Sequence, residues 1–365
     1  MHRPFSAWKL GELEIPNRFV RSATWEGMAE EDGTVTEALA EVTADLARGG
    51  VGLIISGYAY VRPEGLGLPR QTGAHHDDLV PSLRRMADAV HAAGGLVALQ
   101  IVHAGGQTRA EWIGGRPPLG PTAMEQPGFG VVDELTIEQI GDIVSAFADA
   151  ARRGKEAGFD AVQLHAAHGY LINQFLSPHT NRRTDAYGLD LTGRARFCLQ
   201  VYDAVRAAVG SRYPVFIKLN SEDCVEGGLE LEDAVEVARQ LSERGIDAIE
   251  VSGGVPAAGK QSPSRVLREP SEEGYFLEHA KAVKSVVSCP VISVGGYRSL
   301  SVVEAALEHV DAVAICRPFI RQPDLANRFR DGLQEKAECI SCGRCFKETL
   351  KHGLTCGVVS GAESA

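Results

Sequence analysis

Hydrophobic residues occur along the chain in short, nearly continuous runs, and amphipathic segments of helical period follow most of them. Apolar runs of about four to eight residues are typical of strands that are buried on both faces, as in a parallel sheet. A capping-box pattern at Thr136–Gln139 predicts the start of one intervening helix, which we expect to extend to about Gly158. The predicted strands are Phe19–Thr24, Val51–Ser56, Leu96–Ile101, Asp160–His165, Pro214–Leu219, Asp247–Ser252, Pro290–Gly295 and Asp311–Arg317.

Eight successive strand–helix units predict a closed parallel barrel, the (β/α)8 or TIM fold. An open, doubly wound sheet is the alternative, and the lack of a Gly-rich dinucleotide fingerprint after the first strand counts against it. We expect the barrel to occupy residues 1–335 and a short Cys-rich tail to occupy residues 336–365. The Gly/Pro-rich stretch Gly105–Glu134 interrupts the alternation, and an excursion of that length in a compact domain is usually functional.

Composition narrows the classes of protein to consider. The 365 residues carry a net charge of −11 and no basic cluster, which disfavours nucleic acid as a partner. No apolar run approaches the ~18 residues of a membrane helix, and the N-terminus has no apolar signal core. We therefore expect a cytoplasmic protein without a membrane partner. The sequence leaves open whether the protein forms a homo-oligomer. Eight cysteines in such a chain indicate thiols or metal ligands rather than disulfides.

Candidate catalytic residues follow the fourth predicted strand. Strand alternation places Gln163 and His165 on one face, and His168 and Tyr170 come at the carboxyl end of the same strand. Two imidazoles and a phenol this close together can hold a carbonyl oxygen and deliver a proton beside it. A single histidine on an apolar strand is more often a packed core residue, so the grouping carries the functional interpretation.

Two loops suit a phosphate group. In TIM barrels phosphate often binds after the seventh and eighth strands, where this chain has Gly295-Gly296 and Arg317. Glycines let backbone N–H groups approach a phosphate closely, and an arginine pairs with it through two N–H donors. The alternative is a tight turn next to a surface arginine.

Three segments resemble the Old Yellow Enzyme family of FMN-dependent TIM-barrel oxidoreductases. They read HAAHGYL at residues 165–171, QFLSP at 174–178 and NRRTDAYG at 181–188, and the resemblance extends over about residues 5 to 335. It implies that His165 and His168 anchor the substrate and that Tyr170 donates a proton. A carbonyl or enone substrate follows, because amine dehydrogenases of the related branch have Tyr in place of His165.

The resemblance also assigns flavin contacts. It places Gln100 at the pyrimidine edge of the flavin and Lys218 at N1, where a positive charge stabilises the anionic reduced flavin. Cys316 stands where the family usually has glycine, and Trp25 stands where relatives carry a Cys or Thr that tunes the flavin. The predicted cofactor-binding positions are Ser22, Ala23, Thr24, Tyr58, Gln100, Lys218, Gly295, Gly296, Cys316 and Arg317.

Four cysteines in the tail have the spacing C-x2-C-x2-C-x10-C: Cys339, Cys342, Cys345 and Cys356. Four thiolates suffice for a [4Fe–4S] cluster. The stretch resembles the cluster-binding tail of the trimethylamine dehydrogenase and 2,4-dienoyl-CoA reductase branch, although its last gap is shorter. A four-thiolate zinc site and a tail without metal are the alternatives. We expect the other four cysteines to be packed.

These observations favour an FMN-dependent ene-reductase with NAD(P)H as reductant and an enone or other carbonyl compound as substrate. One alternative is a flavin dehydrogenase that passes electrons through a cluster to a partner protein. A non-catalytic flavin-binding electron carrier is the other, and the presence of both histidines and the tyrosine argues against it.

Overall fold

The computed structural model describes residues 3–359. The strands are β1 (Trp8–Leu10), β2 (Leu13–Ile15), β3 (Phe19–Arg21), β4 (Leu53–Ile55), β5 (Ala59–Tyr60), β6 (Val97–Val102), β7 (Leu119–Gly120), β8 (Met124–Gln126), β9 (Gly130–Glu134), β10 (Ala161–Ala166), β11 (Val215–Asn220), β12 (Ala248–Ser252), β13 (Val291–Val294) and β14 (Ala312–Ile315). The helices are α1 (Glu37–Arg48), α2 (Val80–Ala92), α3 (Ile137–Glu156), α4 (Leu171–Leu176), α5 (Leu191–Val209), α6 (Leu231–Glu243), α7 (Leu277–Lys284), α8 (Leu300–Leu307), α9 (Arg317–Arg321), α10 (Leu325–Arg330) and α11 (Arg344–His352).

Eight parallel strands close into a barrel in the order β10-β11-β12-β13-β14-β3-β4-β6, and β6 pairs again with β10. The predicted TIM fold is therefore confirmed, with each predicted strand in place to within a few residues. The last strand was predicted too long, because Arg317 already begins helix α9, where Pro318 is accepted in the first turn. Helix α3 starts with the predicted capping box, in which Thr136 and Gln139 bond each other's backbone N–H.

Strand alternation sorts the barrel interior into layers. Inward residues such as Val20, Phe216 and Ile292 form an apolar cluster inside the barrel, and the outward residues join a larger cluster against the helices. Two residues beyond Val20 and Phe216 on their strands, the inward side chains are the polar Ser22 and Lys218. The interior therefore changes from apolar to polar toward the carboxyl ends of the strands, where TIM-barrel active sites lie.

Three segments cover the carboxyl end of the barrel. Excursion 105–134 contains a small sheet of order β7-β9-β8, as well as a short 3-10 turn. Residues 253–276, between β12 and α7, form a second cover that the sequence analysis did not single out. The third is the tail, which starts with a bridge from Lys336 to Ser299; its last residues, 360–365, lie outside the described part of the chain. No helix among residues 3–359 is both long and apolar enough to cross a membrane.

Candidate active site

A cavity of about 600 Å³ lies at the carboxyl ends of the barrel strands. All three covering segments contribute to its wall. The predicted catalytic and cofactor positions that line it are Ser22, Ala23, Thr24, Tyr58, Gln100, His165, His168, Tyr170, Lys218, Gly296, Cys316 and Arg317. Gly295 does not line it: its carbonyl oxygen accepts hydrogen bonds from the backbone of Gly274 and Tyr275 and so holds the second covering segment in place.

A buried hydrogen-bond network forms the floor of the cavity. Gln100 Nε2 donates to Gln163 Oε1 at 2.6 Å, and Gln163 Nε2 donates to Glu250 Oε2 at 2.7 Å. The other carboxylate oxygen of Glu250 accepts from Ser22 Oγ at 2.7 Å and lies 3.1 Å from Lys218 Nζ. Lys218 Nζ also donates to Ser22 Oγ at 2.7 Å. The five side chains thus form one continuous polar layer around an ion pair.

The floor matches the pyrimidine edge of a flavin. Gln100 Oε1 is buried and has no hydrogen-bond partner among the described residues, so it can accept from the flavin N3–H group. Lys218 uses two of its three N–H donors on Ser22 and Glu250, which leaves one for the N1 and O2 side. The residues present therefore fit the cofactor that the resemblance implies.

The two histidines lie side by side on the wall above the floor. The rings of His165 and His168 meet edge to face with centroids 5.2 Å apart. The backbone N–H of Ala167 donates to His165 Nδ1 at 3.3 Å, which places the proton of a neutral imidazole on Nε2. His168 has a left-handed backbone (φ 63°) that is stabilised by Asn220 and turns its Nε2 toward Ser252 Oγ, 2.7 Å away.

Burial keeps both imidazoles neutral. It lowers the pKa of His165 well below its usual range, and repulsion from His168, whenever that ring is protonated, and from the charge of Lys218 lowers it further. Burial also lowers the pKa of His168, with Lys218 as the second cause. Because the two imidazoles stay neutral over the ordinary pH range, each can donate one N–H hydrogen bond to a carbonyl oxygen throughout that range.

Tyr170 is the acidic group nearest to the histidines. Its ring lies 4.8 Å from that of His165 and 5.3 Å from that of Tyr58, measured between centroids. Burial raises the pKa of Tyr170, and hydrogen bonds with Tyr58 and Gln107 oppose that rise. The phenol therefore keeps its proton at neutral pH, while hydrogen bonds from its two partners favour the phenolate form.

Arg317 lies where the cavity meets the tail. Its Nη1 donates to the carbonyl oxygen of Ser341 at 3.0 Å, and the residue lines both the large cavity and a small one among the tail cysteines. Gly296, with a left-handed backbone (φ 77°), also lines the large cavity. Two of the predicted phosphate-binding positions thus line one cavity.

The tail contributes more to the cavity than its position after the barrel suggested. Phe346 packs on Trp25 with ring centroids 5.8 Å apart. The tail residues in the cavity wall are Ser341, Gly343, Cys345, Phe346, Thr349 and Leu354. Trp25 donates its indole N–H to Pro69 O, so its ring is fixed in the wall and does not fill the cavity.

All four tail cysteines line one small cavity of about 20 Å³. None of them forms a disulfide within residues 3–359, and cysteine thiolates are the ligands an iron–sulfur cluster or a structural zinc requires. In this arrangement, however, no three His, Cys, Asp or Glu side chains of residues 3–359 lie close enough to share a metal ion. The donor chemistry therefore fits a metal centre, and the present spacing of the thiols does not.

The expectation that the other cysteines are packed holds only in part. Cys198 and Cys289 are buried, but Cys224 and Cys316 are half-buried, and Cys316 lines the large cavity. Sequence analysis also missed Glu250, although a signal was present. A carboxylate in the apolar run Ile249–Val251 requires a buried partner, just as Lys218 does on the neighbouring strand.

Fold and cavity together define the class of flavin-binding (β/α)8 barrels. The profile of the NADH:flavin oxidoreductase / NADH oxidase family matches residues 4–336, and the chain belongs to that family. The predicted resemblance to Old Yellow Enzyme is confirmed by a solved structure, an Old Yellow Enzyme homologue from Zymomonas mobilis. That structure has a TM-score of 0.81 and 29% identity, over 92% of this chain and 95% of the other.

Two relatives show how the family varies in length. An NADH oxidase of Thermoanaerobacter brockii is 37% identical over 98% of this chain but only 56% of its own length. The chain thus spans about half of that relative. A 4,4'-dithiodibutanoate disulfide reductase of Rhodococcus erythropolis is 34% identical over 97% of this chain and 94% of its own length.

Proposed function

We propose that the chain binds FMN and, with NAD(P)H as reductant, reduces a carbon–carbon double bond conjugated to a carbonyl group. One observation carries the proposal. The cavity floor offers an acceptor and a cation that suit a flavin, and the same cavity holds two neutral histidines beside a protonated tyrosine. Bound FMN would supply the hydride for the β-carbon of the substrate.

The residues on the wall supply the remaining chemistry. His165 Nε2 and the His168 ring donate hydrogen bonds to the carbonyl oxygen, where negative charge develops during reduction. Tyr170 delivers its proton to the α-carbon. Tyr58 and Gln107 then stabilise the tyrosinate through the hydrogen bonds that already oppose the rise of its pKa.

The named relatives support flavin-dependent reduction more firmly than any one substrate. They include an NADH oxidase and a disulfide reductase, as well as the Old Yellow Enzyme homologue. His165 favours the carbonyl substrate over the alternative of an amine dehydrogenase. A cavity that Trp25 leaves open, with a complete acid and anchor set, disfavours the non-catalytic carrier.

The flavin itself is tested first. Heat-released cofactor from protein purified anaerobically should run as FMN on chromatography, and FAD or no flavin would overturn the proposal. Reduced enzyme should then be reoxidised in stopped flow by 2-cyclohexenone. If the enone does not reoxidise the photoreduced enzyme, and an amine does reduce the oxidised enzyme, the dehydrogenase alternative replaces this proposal.

A variant pair locates the carbonyl site. Phenols resemble the enolate that forms on reduction, and they should give a long-wavelength charge-transfer band with the oxidised enzyme. His168→Ala should abolish this band. His103→Asn is the control, because His103 is a buried histidine that does not line the cavity, and it should keep the band.

The tail carries a second, separate proposal, that Cys339, Cys342, Cys345 and Cys356 hold a [4Fe–4S] cluster serving an electron-transfer partner. Their position around one cavity supports it, although the thiols would have to move closer together. Anaerobic reconstitution with iron and sulfide should add absorbance near ~400 nm, as thiolate-bound clusters do. Cys342→Ser should lose this iron while keeping FMN, and Cys198→Ser, a buried thiol elsewhere, should keep both. Zinc or no metal in the wild type would refute the cluster.

A further inference from the structure

Glu250 is the least accessible charged group of the cavity floor. It is 0% exposed and does not line the cavity, so it lies behind the residues that would contact a flavin. On the paired strands β11 and β12 it stands directly opposite Lys218 in the parallel register. A buried carboxylate requires compensation, and Glu250 receives it from Lys218, Ser22 and Gln163 together.

The charge of Glu250 opposes that of Lys218. A lone cation at the pyrimidine edge of a bound flavin would favour the reduced, anionic cofactor, but a carboxylate oxygen 3.1 Å from the ammonium cancels part of that field. Both groups are buried, so water screens the pair weakly. The electrostatic effect at the pyrimidine edge is therefore that of an ion pair and not of a free lysine.

Glu250 also determines which way two amides point. A carboxylate only accepts hydrogen bonds, so Gln163 must present its Nε2 to Glu250 and its Oε1 to Gln100. Gln100 must then donate through its Nε2 to Gln163. Its Oε1 is left without a hydrogen-bond partner among the described residues. Glu250 thus determines, through Gln163, that Gln100 presents a hydrogen-bond acceptor to a flavin.

We propose that Glu250 is a positioning residue that lowers the reduction potential of the bound flavin by neutralising Lys218 and orients Gln100 as an acceptor through Gln163. The inference rests on the proposed FMN site and deepens it. According to this inference, Glu250 acts as the counter-ion of Lys218 and keeps the reduction potential of the bound flavin lower than Lys218 alone would. Glu250 acts through these neighbours and touches neither cofactor nor substrate.

Four proteins test the charge effect: wild type, Glu250→Gln, Lys218→Gln and the double variant. The midpoint potential of bound FMN should rise in Glu250→Gln, fall in Lys218→Gln, and return close to wild type in the double variant. Sulfite, which adds to oxidised flavin and leaves negative charge at the pyrimidine side, gives a second readout. Its dissociation constant should fall at least roughly tenfold in Glu250→Gln, as removal of a buried charge near the site implies.

A structural role alone would not give opposite signs that cancel. Equal potentials in the variants, or a fall in Glu250→Gln, would overturn the inference. If Glu250→Gln does not fold, the comparison of Lys218→Gln with the double variant decides, because the double variant must have the higher potential. Absence of FMN from the wild type would instead overturn the proposed function, and this inference with it.

Glu26→Gln is the matched control. Glu26 is also a buried carboxylate in an ion pair, with Arg21 at 3.0 Å, but Arg21 lies on the outward face of β3 while Ser22 faces the cavity. Its removal should leave the potential near that of the wild type. Gln163→Leu separates the second effect, because it breaks the amide relay without changing charge. It should weaken FMN binding and move the potential less than Glu250→Gln does.

Discussion

The guanidinium of Arg317 donates a hydrogen bond to the backbone carbonyl oxygen of Ser341, 3.0 Å away. Ser341 lies between Cys339 and Cys342 and has a left-handed backbone with φ 55°, which is unusual for a residue other than glycine. The contact joins the start of helix α9 to the cysteine loop. One cation therefore serves both the wall of the large cavity and the packing of the tail against the barrel.

Arg317→Ala should weaken FMN binding by roughly 2–4 kcal/mol, because a charged partner of the phosphate is lost and the Ser341 carbonyl loses its donor. The FMN dissociation constant, titrated by fluorescence, measures this. Arg321→Ala is the control, since Arg321 lies one turn further along and lines only the cysteine cavity. An equal loss in both variants would show that the tail, and not the phosphate, accounts for the effect.

Tyr170→Phe should slow the oxidative half-reaction with an enone by about 10²-fold or more, the usual contribution of a positioned general acid. Flavin reduction by NAD(P)H should change little, because that half needs no proton from Tyr170. Stopped-flow measurement of each half-reaction separates them. Tyr58→Phe keeps the ring but removes one partner of Tyr170, so it should cost less; a similar loss in both half-reactions for Tyr170→Phe would indicate a structural role.

Acid should destabilise the fold partly through His103. Burial lowers the pKa of His103 to about 4, below the ~6.5 of an unfolded chain. Between these values the unfolded state binds more protons, so stability falls as the pH falls, by roughly 2 kcal/mol at pH 5 for this residue.

His103→Asn should reduce this loss, since the asparagine oxygen can replace Nδ1 as acceptor for the backbone N–H of Gly105. Urea midpoints of apoprotein at pH 7 and pH 5 and constant ionic strength measure it. The wild type should lose more stability between the two pH values than His103→Asn. Identical losses in the two proteins would mean that His103 is not the group responsible.

Phe346→Ala should weaken FMN binding about three- to tenfold, because it removes an aromatic contact from the cavity wall and from Trp25. Leu350→Ala is a close control: both side chains lie on α11 and are 53% exposed, but Leu350 does not line the cavity. Isothermal titration of apoprotein with FMN compares them. No difference between the two variants would exclude the tail from the flavin site.

The barrel and the chemistry of single strand ends could be predicted from local patterns. Alternation within β10 placed Gln163 and His165 on one face, and apolar runs marked every barrel strand. Arg317 was assigned to a strand because the apolar run ahead of it gives no clear end; Pro318, which the first turn of a helix accepts, was the signal that was not used.

Sequence by itself determined the (β/α)8 fold and the grouping of His165, His168 and Tyr170, because periodicity and strand-end position are local properties of the chain. The flavin-contact positions came from the resemblance to a known family and not from these local patterns. Tertiary structure decided which of these positions meet. The Lys218–Glu250 pair depends on the register between two strands, and the contact of Phe346 with Trp25 joins residues over 300 positions apart. No local pattern specifies such pairings, since they arise only when the closed barrel and the path of the tail bring distant segments together.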